Sequence, residues 1–188
     1  MAYEYTLIKS KRKTLSLEVR EDGLIVRAPM RISKRAADDF VAKHAAWIEK
    51  QRLKIEQRKA QNAAVEKLSD EEMKALSKKA AEYIPARVQH YARLMDAQYN
   101  RLTLRCQKTR WGSCSAKKNL NFNILLMLAP PEVIDSVVVH ELCHLREMNH
   151  GPRFYELVYR VYPDYDRWNR WLKENGPTIM ARVPNTTT

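Results

Sequence analysis

Three short segments near the start of the chain alternate apolar and polar residues. They cover residues 3–8, 14–19 and 23–28, and the turn sequence Glu21-Asp22-Gly23 joins the last two. Alternation with a period of two is typical of strands that bury only one face. The pattern therefore predicts a small antiparallel sheet in this part of the chain.

A helical period follows the three predicted strands. Ser33 is suited to cap a helix, because its hydroxyl can accept a hydrogen bond from a backbone N–H of the first turn. The predicted apolar face of this helix contains Phe40, Val41, His44, Trp47 and Ile48. A capping box at residues 69–72 then predicts a second long helix to about residue 99, which Pro85 should kink or split.

The second half of the chain mixes both periods. Alternation predicts strands over residues 101–107 and 119–126, separated by a turn region that contains Gly112. Pro131 and Glu132 suit a helix start, because proline fits the first turn and an acidic residue favours the positive end of the helix dipole. Two more helices are predicted over residues 153–162 and 164–174.

Together these elements predict an α+β fold, with a small N-terminal antiparallel sheet, long helices and a core of short strands. A length of 188 residues suits one domain with a small appendage. We expect residues 1–65 to form N-terminal strands plus a basic helix. Residues 66–188 are expected to form the core as one compact unit.

The run His140-Glu141-Leu142-Cys143-His144 contains the most informative chemistry of the chain. Residues four apart on a helix lie on one face, roughly 5–6 Å from each other, so both imidazoles can reach one metal ion. The glutamate beside the first histidine can then take a proton from water at that ion. The alternative is a pair of core histidines that hydrogen-bond elsewhere.

A third histidine, His150, follows ten residues after the first one. On a continuous helix it would lie roughly 15 Å further along the axis, so it can share the metal only if the chain leaves the helix after about Glu147. Asn149 tolerates the left-handed conformation that ends helices, and Pro152 blocks any continuation. Glu156 remains the rival third ligand, since some zinc enzymes use a more distant glutamate.

The residues around this motif resemble the YgjP-like family of zincin metallopeptidases over about the last 90 residues of the chain. The matching segments are Arg110-Trp111-Gly112-Ser113-Cys114, Asn121-Phe122-Asn123, the stretch 129–135, the stretch 137–145 and Asn149-His150. The resemblance implies a zincin-like core of short strands packed on the metal-binding helix. It also implies one Zn²⁺ on His140, His144 and His150, and Glu141 as the catalytic base.

Substrate contacts are also expected from this resemblance. In zincins the strand beside the metal-binding helix pairs with an extended peptide, so Asn121 and Asn123 would either face the cleft or brace the end of that helix. Arg153 and Tyr155 are further candidates for substrate binding, and His90 joins them as a candidate for stabilising the oxyanion. A carboxylate should orient at least one imidazole. The available carboxylates are Glu156, Asp164 and Asp166.

Charge and cysteine content add two expectations. The formal net charge is +12, and residues 1–60 hold 15 Lys and Arg against 8 Asp and Glu. Such a basic surface attracts nucleic acid or nucleotides, although solvated helices often carry many lysines and arginines for solubility alone. Three cysteines without a paired spacing, no long apolar run and no secretory leader lead us to expect a cytoplasmic protein without membrane contact.

Three functions fit these observations. The first is a zinc-dependent metallopeptidase acting on a peptide or protein substrate. The second is a metal-dependent nucleoside triphosphate pyrophosphatase or phosphohydrolase. It would use the basic residues that flank the strands before the metal helix, which are Arg105, Lys108, Arg110, Lys117 and Lys118. The third is a zinc-braced nucleic-acid-binding module, which Glu141 disfavours because a structural zinc site needs no base.

Overall fold

A computed structural model describes residues 3–184 of the chain. The chain divides into two compact units, Met1–Ala64 and Val65–Thr188. The elements of the first unit are β1 (Thr6–Ser10), β2 (Ser16–Arg20), β3 (Gly23–Pro29), α1 (Lys34–Lys43) and α2 (Ala45–Ala63). Within residues 3–184, no helix combines the length and the apolar character needed to cross a bilayer.

The N-terminal sheet has the strand order β1-β3-β2. Strands β2 and β3 are antiparallel as predicted, but β1 pairs with β3 in parallel, so a fully antiparallel sheet is wrong. Leu24, Val26 and Ala28 of β3 are buried, and this strand occupies the centre of the sheet. Because the chain reverses between β1 and β2 and again between β2 and β3, the first and third strands point the same way when they become neighbours.

The first predicted helix is divided into α1 and α2 by His44. Ser33 caps α1 as expected, since its hydroxyl accepts a hydrogen bond from the Ala36 N–H. His44 Nδ1 lies 2.7 Å from the Phe40 carbonyl oxygen, at the point where the backbone leaves the helical conformation. Ile48 is buried, but Trp47 is 42% exposed, which shows that the predicted apolar face does not continue unchanged across the break.

As far as residue 184, the second unit contains three strands, four α-helices and one short 3-10 helix. Its elements are α3 (Asp70–Leu94), β4 (Arg101–Arg105), β5 (Gly112–Cys114), β6 (Asn119–Asn123), a 3-10 helix (Ile124–Leu128), α4 (Pro131–Cys143), α5 (Pro152–Val161) and α6 (Tyr165–Ala181). The strands form two small mixed sheets, and most helices follow one another along the chain instead of alternating with strands. This arrangement confirms the α+β class.

Helix α3 supports helix α4, which contains the HExxH run. The predicted capping box is present, with Ser69 and Glu72 each bonding the other's backbone N–H. Pro85 lies inside α3 without dividing it, contrary to one of the two expected outcomes. Arg87 of α3 donates two hydrogen bonds of 2.7 Å to the carboxylate of Asp135 in α4. This bidentate ion pair links α3 to α4.

The second sheet has the order β4-β6-β5. Strand β6 is central, parallel to β4 and antiparallel to β5. Strand β5 was not predicted, because three residues that include Gly112 show no alternation. Strand β6 ends at Asn123 rather than near residue 126, since the Asn123 side chain accepts a hydrogen bond from the Leu125 N–H and begins the 3-10 helix.

Candidate metal centre

The end of α4 brings His140 and His144 together. Helix α4 contacts α3, α5, α6 and β5, and most of its residues are buried. His140 lies in its last turn and His144 caps its C-terminus. The Nε2 atoms of the two histidines are 3.2 Å apart, so the i, i+4 spacing places both imidazoles at one point, as expected.

His150 joins them after a turn that differs from the predicted one. Helix α4 ends at Cys143, about four residues earlier than expected, and Asn149 is not left-handed: within residues 3–184 only Asp96 and Lys118 are non-glycine residues with positive φ. The chain instead turns through residues 144–146. His150 Nε2 then lies 3.1 Å from His140 Nε2.

Two contacts stabilise this turn. The Arg146 guanidinium donates to the backbone carbonyls of Met95 and Asp96 at the end of α3, at 2.6 and 3.1 Å. Pro152 then acts as the first residue of α5 rather than as a simple block to α4. The position of His150 thus depends on a long-range anchor that local turn chemistry does not reveal.

The outer nitrogens of the imidazoles have oxygen partners. His140 Nδ1 lies 2.8 Å from the Tyr165 hydroxyl, and His144 Nδ1 lies 3.0 Å from the carbonyl oxygen of Glu147. A carbonyl only accepts, so Nδ1 of His144 carries the proton and its Nε2 presents a lone pair to the cluster.

The predicted carboxylate partners lie elsewhere. Glu156 pairs with Arg160 on the exposed side of α5, and Asp166 accepts from the Tyr159 hydroxyl. The expectation that a carboxylate orients an imidazole is therefore wrong for His140 and His144. A tyrosine hydroxyl and a backbone carbonyl take that place.

This nitrogen cluster has the dimensions of a metal site. Ligand nitrogens of the three histidines all lie within 4.8 Å of one another. Two nitrogens bound tetrahedrally at about 2.0–2.1 Å would lie about 3.3–3.4 Å apart, close to the 3.2 and 3.1 Å between the Nε2 atoms. Lone pairs at such distances repel one another unless a cation lies between them. Three imidazoles therefore fit a divalent metal with a further position open.

Phe154 forms the apolar base of the cluster. Its side chain is fully buried, and its ring centroid lies 4.9, 4.6 and 4.7 Å from those of His140, His144 and His150. Burial lowers the pKa of His140 to about 4, and the neighbouring histidines act in the same direction. A neutral imidazole is the form that binds metals. The exposed His150 leaves the cluster open on one side.

Glu141 lies beside the cluster, with only 6% of its surface exposed. Burial raises the pKa of its carboxyl to about 8, and the positive charge of Arg110 acts in the opposite direction. The carboxyl packs directly against Gly112 of β5: a Cβ atom at that position would lie 2.6 Å from Glu141 Oε1. Only glycine leaves space for this approach, a role that the sequence pattern did not reveal.

A pocket of about 240 Å³ opens beside His140 and Glu141. Trp111, Val137 and Leu172 form apolar parts of its wall, and Arg110 and Asn169 supply polar parts. Of the five basic residues considered for nucleotide binding, only Arg110 lines this pocket. A mostly apolar wall with a few polar groups is typical of a substrate pocket.

The two asparagines predicted at the cleft have other positions. Strand β6 has a neighbour on both edges, so it has no free edge for a substrate backbone. Asn123 is 2% exposed and donates to the carbonyls of Gln107 and Arg110 at 2.7 and 2.8 Å. Asn121 donates to the hydroxyl of Ser113 on β5. Pairing of a peptide backbone with β6 therefore does not fit this sheet, while contact of Asn121 or Asn123 with substrate stays a prediction; Asn123 holds the loop before β5.

The remaining predicted residues lie outside the pocket wall. Arg153 is exposed at the start of α5, and the half-buried Tyr155 has its ring centroid 6.4 Å from that of His150. His90 is exposed on α3, where its ring packs against Tyr91 at 4.9 Å. Tyr155 therefore has its ring beside the histidine cluster.

A comparison with protein families agrees with this geometry. The family model described as YgjP-like, metallopeptidase domain, matches residues 13–79 and 62–175, which together make up most of the chain. The chain belongs to the YgjP-like family. Membership of the YgjP-like family confirms the resemblance noted from the motifs, and it supports a hydrolase that uses a divalent metal.

Similarity to individual proteins covers parts of this YgjP-like chain. The chain is 33% identical over 58 residues to a UTP pyrophosphatase of Escherichia coli (strain K12). This match spans 31% of the chain and 35% of that protein. The chain is thus aligned with about a third of the length of this relative.

Two solved structures are also similar. The zymogen of the metallopeptidase abylysin from Pyrococcus abyssi aligns with 48% of the chain and 93% of its own length, at 18% identity and a TM-score of 0.44. The zymogen of jannalysin from Methanocaldococcus jannaschii aligns with 50% of the chain and 97% of its own length, at 20% identity and the same TM-score of 0.44.

Proposed function

We propose that this YgjP-like protein is a zinc-dependent metallopeptidase. The observation that carries the proposal is the convergence of three imidazole nitrogens next to the buried carboxyl of Glu141, at the edge of a pocket. A structural zinc site is closed by four protein ligands, whereas a catalytic one has three and keeps a position open. The three-histidine cluster supports the second kind.

His140, His144 and His150 would hold the zinc ion through Nε2. A bound zinc ion supplies Lewis acidity, which polarises a carbonyl group and lowers the pKa of water from about 16 toward about 7. Tyr165 and the carbonyl of Glu147 fix the orientation of His140 and His144 through their Nδ1 atoms. Glu156 is not needed in this ligand set, since it pairs with Arg160.

Glu141 would act as the general base. Its raised pKa shows that the apolar surroundings favour the protonated form, while a divalent cation beside it favours the carboxylate. The balance leaves a carboxylate that can take a proton from the attacking water and return it to the leaving nitrogen. Gly112 supports this role, because it allows the carboxyl to lie against β5.

An extended peptide would pair with β5 rather than with β6. Strand β5 lies at the edge of its sheet and begins with Gly112, next to Glu141. A free strand edge offers unpaired N–H and C=O groups to a peptide backbone. The proposal therefore moves the predicted substrate contact by one strand, to the segment from Gly112 to Cys114.

Zinc content tests the ligand set. His144→Ala and His150→Ala are expected to lose about one zinc per chain, because two imidazoles bind zinc far more weakly than three. His90→Ala and Glu156→Ala serve as matched controls and should keep it, since the His90 side chain is exposed on α3 and Glu156 faces Arg160. Elemental analysis of the four purified variants measures this. Full zinc in His150→Ala together with loss in Glu156→Ala would assign the site to Glu156.

Hydrolysis tests the chemistry. The zinc-loaded protein is expected to cleave unfolded protein or peptides, with complete loss after chelation and recovery when zinc is returned. Glu141→Gln should keep its zinc and lose roughly 10²–10⁴-fold in kcat, the usual contribution of a general base. A Glu141→Gln variant as active as the wild type would end the role of Glu141 as base.

A second candidate is metal-dependent hydrolysis of a nucleoside triphosphate. It is favoured by the similarity to the UTP pyrophosphatase of Escherichia coli and by the position of Arg110 in the pocket. Including UTP in the same assay separates the two functions. Cleavage of UTP without cleavage of any peptide would replace the first proposal by the second. Contact with nucleic acid through the basic N-terminal surface stays a prediction.

A further inference from the structure

Arg110 has a side chain without a polar partner beside the proposed reaction centre. Arg110 is exposed, and it lines the pocket that Glu141 and His140 also line. Among the residues that the structure describes, Arg110 forms no ion pair, and its side chain makes no hydrogen bond. Glu141 is the only carboxylate in the pocket wall, and Arg110 acts on it only through its charge.

The backbone of Arg110 is held firmly. The buried amide of Asn123 donates to the Arg110 carbonyl at 2.8 Å and to the Gln107 carbonyl at 2.7 Å. The Asn123 N–H also donates to the Trp111 carbonyl at 2.8 Å. A loop whose backbone is fixed by three hydrogen bonds loses little backbone entropy when one of its side chains binds a ligand. The guanidinium is therefore presented by a preorganised loop.

Neighbouring residues fix the pocket wall on either side of Arg110. The indole of Trp111 packs so closely on Gly176 of α6 that a Cβ there would lie 3.0 Å from the ring. Gly112 lies against Glu141 in the same way. The segment Arg110-Trp111-Gly112 thus contributes one cation, one apolar surface and one close backbone approach to a single pocket.

We infer that Arg110 binds an anionic group of the substrate, a carboxylate or a phosphate, in the pocket beside the three-histidine cluster. Its planar guanidinium can donate two parallel hydrogen bonds to either group. The apolar surface of Trp111, Val137 and Leu172 would hold the part of the substrate that carries the anion. The inference deepens the proposed function and rests on the same pocket, but it concerns binding rather than the chemical step.

The test measures binding in zinc-loaded protein that carries Glu141→Gln, so that turnover does not interfere. Three probes are titrated calorimetrically: a short peptide with a free C-terminal carboxylate, the same peptide as its C-terminal amide, and inorganic triphosphate. Each is compared with Arg110 intact, with Arg110→Gln, with Arg110→Lys and with Arg105→Gln. The last variant removes the same charge from an exposed position on β4 outside the pocket wall.

Arg110→Gln is expected to weaken binding of the anionic probe by about 10- to 100-fold, the usual worth of hydrogen bonds to a charged group. Arg110→Lys should recover part of this affinity, and Arg105→Gln should change it by less than about threefold. A loss for the free-acid peptide but not for its amide identifies a carboxylate, and a loss for triphosphate alone identifies a phosphate.

The inference is overturned if neither anion binds when Arg110 is present, if Arg110→Gln leaves both affinities unchanged, or if Arg105→Gln weakens them equally. Its failure can be separated from failure of the proposed function. Hydrolysis by the wild type tests the peptidase, and the binding series gives its result whether or not any peptide is cleaved.

Discussion

At the scale of single residues, the carboxyl of Glu141 packs against Gly112 of β5. The carboxyl lies where a side chain of residue 112 would otherwise stand, since a Cβ would come within 2.6 Å of Oε1 and 2.7 Å of Cγ. The neighbouring Glu141 carboxyl is buried and shares the pocket wall with His140. A glycine in a three-residue strand thus decides where the proposed base can lie.

Replacing this glycine tests the contact. Gly112→Ala should displace the Glu141 carboxyl and lower kcat by roughly hundredfold, because misplacing a reacting group by about 1 Å has an effect of that size. Zinc content should stay near that of the wild type. Gly151→Ala is the matched control, since no atom lies within 4 Å of the Cβ position there. Equal kcat values in the two variants would show that the position of Glu141 does not depend on residue 112.

The buried carboxyl also predicts a pH dependence. Its pKa is raised to about 8 from an ordinary value of 4.5. Between pH 4.5 and 8 the folded chain therefore holds more protons at Glu141 than the unfolded chain does. Stability therefore falls as pH rises. The pKa of His140 is lowered to about 4 from 6.5, and burial also lowers the pKa of His144; both shifts have the opposite sign, and their effect is largely complete above pH 7.

The interval from pH 7 to 8 therefore reports mainly on Glu141. With zinc removed by a chelator, the free energy of unfolding is expected to fall by about 1 kcal/mol across this interval. Glu141→Gln should lack the decrease, because its side chain does not titrate. Urea unfolding curves at the two pH values measure the difference. Parallel behaviour of the wild type and Glu141→Gln would contradict the assignment.

At the scale of elements, α4 depends on its neighbours for its position. Arg87 of α3 forms a bidentate ion pair with Asp135, and the Tyr91 hydroxyl donates to the same carboxylate at 3.2 Å. The side chains are 29% and 13% exposed, so both charges are largely removed from water. Desolvated charges of this kind destabilise the fold when one partner is lost.

Arg87→Met is expected to lower the free energy of unfolding by about 2–4 kcal/mol, because Asp135 would remain buried without its partner. Arg160→Met provides the control, since the pair between Arg160 and Glu156 is 65% and 71% exposed and should contribute less than about 1 kcal/mol. Denaturant titration measures both. The pair of substitutions Arg87→Met and Asp135→Leu should recover part of the loss, and a loss equal to that of Arg160→Met would contradict the argument.

At the scale of the whole molecule, the chain has separate apolar cores. One contains Leu24, Val26, Val41 and Ile48, all from the first unit. The large core around α4 and a smaller one around Leu125 draw only on residues after Val65. All three histidines of the cluster lie in that second unit as well. The division into an N-terminal part and a core, predicted from the sequence, can therefore be tested directly.

A fragment of residues 65–188 is expected to fold and to bind about one zinc per chain. Its 124 residues are enough to bury a core of their own. Circular dichroism during thermal unfolding and elemental analysis, each compared with the full chain, measure the outcome. A fragment that stays unfolded, or that folds without zinc while the full chain binds it, would show that the first unit completes the core.

Several features follow from the sequence alone because they depend on residues close together along the chain. The i, i+4 spacing of His140 and His144 places both on one helix face whatever the helix packs against. The capping box at Ser69 and Glu72 and the cap at Ser33 are equally local. The α+β class also follows, since the two hydrophobic periods can be read within windows of a few residues.

Other features were decided only by tertiary structure, because they join segments far apart in the chain. Tyr165 reaches His140 across 25 residues, and Arg146 holds its turn through carbonyls about 50 residues earlier. The place of β3 between β1 and β2 made one strand pair parallel. The order β4-β6-β5 likewise removed Asn121 and Asn123 from the expected substrate edge. Periodicity shows which face of an element is apolar, but which neighbour covers that face depends on how all the side chains pack together.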